Sequence, residues 1–176
     1  MNESKLYLVA PIAGHTPQIG RLVSMMNYAR WTTLAEVEGL SIKHLDYLHD
    51  SHSNSIGALL LHIAAVEVSY QVATFGTSSS NVSEIEHYDA ALRLGARARR
   101  EIKGDDADYY LRTLEKVRSK TLEEFAKRDD RWLDKETLFW DRQPANNYFK
   151  WFHVFEDEIN HRGQIRWLRK RALESC

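Results

Sequence analysis

Four stretches of the chain repeat apolar residues at helical spacing. Across residues 18–38 these are Ile19, Leu22, Val23, Met26, Trp31, Leu34 and Val37, and Gly39 stands where such a helix would stop. A second stretch starts near Ser53 or Asn54, either a good N-cap, and runs to about Phe75. Ile56, Leu59, Leu60, Ile63, Val66 and Tyr70 are its expected inward side. A third covers Asp106–Lys127 with Tyr110, Leu111, Leu114, Val117, Leu122 and Phe125. The fourth leaves Asn146 or Asn147 and reaches Arg171, with Phe152, Phe155, Ile159, Ile165 and Leu168 as its expected stripe.

The intervening segments read differently. Pro11, Gly14 and Pro17 keep residues 1–17 irregular. Residues 40–52 suggest a connection with a short helical turn, Gly76–Asn81 a flexible link, and Ser83–Gly95 a short helix or ordered connection. Residues 129–143 alternate only weakly and suggest a loop or short hairpin that packs aromatic rings over the bundle. Trp132, Trp140 and Trp151 are expected to cover the bundle or line a pocket mouth. No repeat, low-complexity tract or sustained strand pattern is evident. The pattern predicts an all-α fold, a four-helix bundle with long connections, as one domain over residues 1–176.

Composition narrows the function classes. Hydrophobic residues make up 43% and charged residues 28%, which fits an ordinary core and surface. The net charge of −1 argues against a general nucleic-acid binder. Arg97, Arg99, Arg100 and Lys103 are followed at once by Asp105, Asp106 and Asp108, so that basic run reads as a solvated helix end. Arg166, Arg169, Lys170 and Arg171 are expected to complement the dipole of the last helix. The single cysteine, Cys176, permits no intrachain disulfide, and the first ten residues lack a signal-peptide layout. No run approaches 18 apolar residues, so no membrane span is expected and a cytoplasmic location is. Helix faces that stay apolar beyond the core stripe leave room for a homodimer.

The eight histidines change the picture most. His153, Asp157 and His161 stand at i, i+4 and i+8 of the last helix, about 6 Å apart along one side. Imidazole nitrogen and carboxylate oxygen together suit zinc, nickel, iron or manganese. A plain i,i+4 pair between Asp157 and His161 explains the same spacing without a metal. A third ligand is needed, and His62 is the candidate, because an imidazole among Leu61, Ile63, Ala64 and Ala65 needs a partner for its polar atoms. His44, His49 and His52 lie in a polar connection and read as solvated. Glu158-Ile-Asn-His161 matches the element used twice in di-iron bundles, but the chain offers no second copy.

Taken with these residues, the chain resembles the DinB/YfiT-like superfamily of metalloenzymes over nearly its whole length. The resemblance rests on Met25-Met-Asn-Tyr-Ala-Arg30, Gly39-Leu-Ser41, Ser55 through His62 to Glu67, and His153 through His161 to Ile165. It implies a four-helix bundle holding a divalent metal, zinc or nickel first, then iron or manganese, on three histidines. His62 and His161 match two of them, whereas the third position is Asp157, where many members have histidine. His153 is then a fallback ligand or a group that supports one. The resemblance further implies transfer of a low-molecular-weight thiol to a small electrophile, with metal-assisted hydrolysis as the alternative. The Asp157 departure also leaves room for a non-catalytic, stress-associated metal-binding or interaction protein. No catalytic residue can be named from the sequence.

Overall fold

The computed structural model describes residues 6–76 and 86–175. Cys176, residues 77–81 of the expected link and residues 83–85 lie outside them. Four long helices form the bundle: α1 (Pro17–Ala35), α3 (Ile56–Phe75), α6 (Ala107–Phe125) and α8 (Asn147–Ser175). Shorter helices connect them: α2 (Ile42–Leu45), α4 (Asp89–Arg93), α5 (Gly95–Glu101) and α7 (Asp130–Leu133). β1 (Glu136–Leu138) and β2 (Pro144–Asn146) form an antiparallel pair, joined through a 3-10 turn at Trp140–Arg142. Residues 129–143 suggested a loop or short hairpin; they hold α7 and the first strand of a hairpin whose second strand lies beyond them.

The helix starts follow from local chemistry. Ser55 accepts from Ala58 N at 3.1 Å, one residue after the expected cap. Asp106 accepts from Tyr109 N at 2.8 Å. α1 opens with Pro17 at its first position, and its free N–H groups are met from elsewhere. Asp130 of α7 accepts from Thr16 Oγ1, Gln18 N and Ile19 N at 2.5, 3.0 and 3.1 Å. A carboxylate so placed also complements the positive end of the helix. Gly20 allows the N-terminal segment to cross α1, because a Cβ there would stand 2.5 Å from Ile12 N.

α3 is the central helix, buried almost all round from Ile56 to Gln71. It is the one helix among the described residues long and apolar enough to cross a membrane, and 89% of that window is buried inside the bundle. A helix apolar on every side is a core helix in such a setting.

Three details depart from the sequence expectations. α1 ends at Ala35, before the turn that places Gly39 at φ +75°. Trp31, Phe152 and Ile159 lie on the outside. The buried stripe of α8 keeps Phe155, Ile165 and Leu168 as expected and adds Asn147, Lys150, Trp151, Val154, Glu158 and Ala172. The basic cluster of α8 does not neutralise its own helix end. Arg169 donates to Ala35 O and Glu38 O at 3.2 and 3.1 Å, and Arg166 pairs with Glu36 at 2.6 Å. Arg169 therefore satisfies carbonyls at the end of α1, while Arg171 donates to Trp167 O of its own helix at 3.1 Å.

Candidate metal centre

α3 and α8 pack side by side, and this brings His62 against Asp157 and His161. His62 Nε2 lies 3.7 Å from Asp157 Oδ2, and His161 Nε2 lies 3.5 Å from Asp157 Oδ1. One donor atom from each of the three residues falls within 4.8 Å of the others. The two imidazoles meet at nearly a right angle, with ring centres 4.6 Å apart. Two donors each ~2.1 Å from one ion stand ~3.0 Å apart at a right angle and ~3.4 Å apart at the tetrahedral angle. The observed Asp157 separations of 3.7 and 3.5 Å are within a few tenths of an ångström of the tetrahedral value.

Local chemistry prepares His62 as a donor. Its Nδ1 lies 2.9 Å from the Ala91 carbonyl oxygen, which can only accept, so the proton belongs on Nδ1 and the Nε2 lone pair faces Asp157. α4 supplies that carbonyl, and the chain turns sharply after it, with Leu94 at φ +55°. Burial pushes the pKa of His62 below the ordinary histidine value. The neutral ring that results is the form a metal requires. Asp157 Oδ2 and His161 Nδ1 are buried with no hydrogen-bond partner among the described residues. An unmet buried group costs roughly 1–3 kcal/mol. A cation beside Asp157 would give its orphaned oxygen a partner, so the residues present fit a divalent ion.

His62 and Asp157 line a cavity of about 460 Å³ that opens to solvent. His153 stands on the same wall, one turn before Asp157 and outside the set of three donors. Its Nδ1 lies 2.9 Å from Glu156 Oε2, and its ring meets Trp140 edge-on at 4.7 Å. Tyr70 lines the cavity too, and burial raises its pKa, so its hydroxyl keeps its proton. The hairpin contributes Phe139 and Trp140. Of the three expected cover residues, Trp140 sits at the cavity, Trp151 is fully buried, and Trp132 is half-buried and stacks on Phe75. His44 serves α2 by accepting from Ser41 N, and His49 packs edge-on against Trp167.

A second polar cluster lies beside this one, unseen in the sequence reading. Arg30 of α1 binds Glu158 at 2.8 Å and Glu67 at 3.2 Å. Arg118 of α6 binds Glu67 at 2.8 Å and Glu158 at 3.5 Å. Thr121 donates to Glu67 at 2.6 Å. Two guanidiniums and two carboxylates thus tie all four long helices together in the core. Burial by itself would raise the pKa of Glu67, but Arg118 and Arg30 overcome it and hold the group below its ordinary value. The available signal was Glu67 itself, a carboxylate inside the apolar stretch of α3, which must be paired to be buried.

The family model described as mycothiol S-transferase matches residues 21–172. The chain belongs to the mycothiol S-transferase family. No curated protein matches it. The family sits within the DinB-like superfamily, as the resemblance implied, and the all-helical fold agrees. DinB-like proteins typically bind a divalent metal. The family also implies a small thiol-related substrate. The segments that carried the resemblance supply all of the histidine cluster and three of the four charges of the ion network: Arg30, His62, Glu67, Asp157, Glu158 and His161 fall within them, and Arg118 does not.

Proposed function

We propose that this protein is a metal-dependent S-transferase that moves the sulfur of mycothiol, or a closely related thiol, onto an electrophilic carbon. The observation that carries the reading is the convergence of His62, Asp157 and His161 on one point beside an open cavity. A structural ion would be closed off by protein, whereas this donor set leaves room for a substrate. His62, Asp157 and His161 would hold a divalent ion, zinc or nickel first by the family resemblance, which would lower the pKa of a thiol bound beside it and favour thiolate near pH 7.

The chain's own residues then perform the remaining tasks. The Ala91 carbonyl holds the His62 ring in the donor tautomer. Glu156 occupies Nδ1 of His153 and leaves Nε2 for a proton. In the transfer, the S–H bond breaks and His153 Nε2 takes the proton. The sulfur lone pair forms the new S–C bond, and the bond from that carbon to its leaving group breaks, the leaving group departing with the electron pair. His153 then returns the proton to solvent. The net change is thiol plus acceptor to thioether, proton and leaving anion.

Purification without chelator, followed by elemental analysis and assay with mycothiol and 1-chloro-2,4-dinitrobenzene, tests this. The wild type should hold about one equivalent of metal and form the thioether. His62→Ala and His161→Ala should lose both. Full retention of metal in both variants, or thioether formation unchanged by its removal, would end the proposal.

A further inference from the structure

The groove between α3 and α8 continues past the donor cluster. The helices run antiparallel: the Tyr70 ring lies 5.9 Å from the His153 ring, while His62 meets Asp157 and His161 further along α8. Beyond the cluster, on the side away from Tyr70, is a second cavity of about 500 Å³. α8 gives it Asn160, Gly163, Gln164 and Trp167, and residues 52–54, just before α3, form the opposite wall. Asn160 follows Asp157 by three residues, and Gln164 follows His161 by three. Side chains so spaced stand about 5–6 Å apart on a helix. The cluster therefore lies between two cavities, and the second is lined mainly by amides.

These amides keep hydrogen-bonding capacity of both kinds. Gln164 is exposed and makes no side-chain hydrogen bond among the described residues. Asn160 donates through Nδ2 to Glu156 at 2.5 Å and keeps Oδ1 as an acceptor. Asn54 accepts through Oδ1 from Gly95 N at 3.3 Å and keeps Nδ2 as a donor. The His52 ring and the Trp167 indole N–H also have no hydrogen-bond partner among the described residues. Ser53 is engaged locally, with the main chain of Asp50. Two guanidiniums border the cavity, Arg99 on His52 O at 3.0 Å and Arg171 over the Trp167 ring at 3.5 Å. Trp167 is still 44% exposed. Gly163 stands inside the long helix α8, where a Cβ would meet nothing within 4 Å. Packing does not require a glycine there, and glycine weakens a helix relative to alanine. Its missing side chain keeps the cavity open.

We infer that this second cavity is a subsite for a polyhydroxylated, sugar-like group, which holds the body of the thiol cosubstrate while its sulfur reaches the donor cluster. A hydroxyl both donates and accepts, and side-chain amides answer it in both senses. An anion would use the donors alone and face Asn160 Oδ1 with a second acceptor. The C–H faces of a sugar ring supply apolar surface for the indole. Gln164, Asn160 and Trp167 are thus specificity-determining residues for the thiol. The inference deepens the S-transfer reading, so its test uses neither thiol nor turnover.

The protein as purified, isotope-labelled for NMR, is titrated with methyl β-D-glucopyranoside, with tetrahydropyran, which has the same ring and no hydroxyls, and with inorganic phosphate. The glucoside should bind saturably in the millimolar range and shift the Trp167 indole and Gln164 amide signals. Tetrahydropyran should bind about tenfold or more weakly. Gln164→Ala should weaken the glucoside roughly three- to tenfold, and Trp167→Ala about tenfold. Gly163→Leu, which a helix accepts and which fills the cavity, should abolish binding. Three results overturn the inference: no saturable binding of the glucoside, an affinity unchanged in both Gln164→Ala and Gly163→Leu, or tighter binding of phosphate than of the glucoside. Binding as expected in a protein that forms no thioether would keep the subsite and remove the S-transfer reading alone. Thioether formation without glucoside binding would do the reverse.

Discussion

Asp157 and Glu158 are neighbours in the chain and opposites in circumstance. Successive helix residues point about 100° apart, so one carboxylate enters the ion network of the core and the other reaches the histidine cluster at the cavity. The network balances its charges within the protein: two positive groups, two negative groups and four helices, with all four carboxylate oxygens paired and Arg118 Nη1 the one guanidinium nitrogen left without a hydrogen bond among the described residues. The histidine cluster has one carboxylate and two rings whose Nε2 atoms stand 3.5 and 3.7 Å from it, and it leaves Asp157 Oδ2 and His161 Nδ1 without hydrogen-bond partners among the described residues. The contrast separates two uses of buried polarity. A closed set fixes how helices pack. An open set is finished by something that arrives from outside.

Breaking the closed set should have the largest effect. Removing one partner of a buried ion pair leaves an uncompensated charge, which costs roughly 3–5 kcal/mol. Glu67→Ala should therefore lower unfolding free energy by about that amount in urea titrations, and an effect below ~1 kcal/mol would remove the distinction drawn here. The open set should respond to ligand instead. Zinc at about a hundred times its dissociation constant should stabilise the wild type by ~2.7 kcal/mol and His62→Ala hardly at all, read as a metal-dependent shift in urea midpoint.

Acid should weaken the closed set in a defined direction. The folded pKa of Glu67 lies below its ordinary value of 4.5. Its contribution is therefore fully present above the unfolded value and lost as pH falls through the folded one. Stability of the metal-free wild type should drop below about pH 4.5, and Glu67→Gln should flatten that part of the pH profile. The smallest expected effect sharpens the comparison from the other side. Asp157→His should keep the cluster open, retain stoichiometric metal, and shift preference several-fold from manganese toward zinc, measured by competition. Loss of metal in that variant would mean that the carboxylate, rather than the donor count, is what the cluster needs.

The sequence carried the four helices and the approach of α3 to α8 because apolar spacing and family motifs report them directly. It placed Phe155, Ile165 and Leu168 of α8 correctly inward but put Phe152 and Ile159 there as well. The true stripe contains Asn147, Lys150 and Glu158, and a search for apolar residues alone rotates the face toward Phe152 and Ile159. Trp31 was placed inward for the same reason, since hydrophobicity does not distinguish a core position from an exposed apolar one. The ion network escaped notice because Arg30 and Arg118 resemble ordinary surface charges until their partners are known. The roles of Phe139 and Trp140 depend on a hairpin whose pairing register short, weakly alternating segments do not specify.

The contact between His62 and the Ala91 carbonyl gives one ring of the cluster an anchor that belongs to the main chain. Every amino acid brings the same oxygen, so a mutational scan of position 91 would score bulk alone and pass over its part in orienting the imidazole. What disturbs that ring is a shift in the path of α4, which ties the geometry of the cluster to the route the chain takes rather than to the identity of any residue along it.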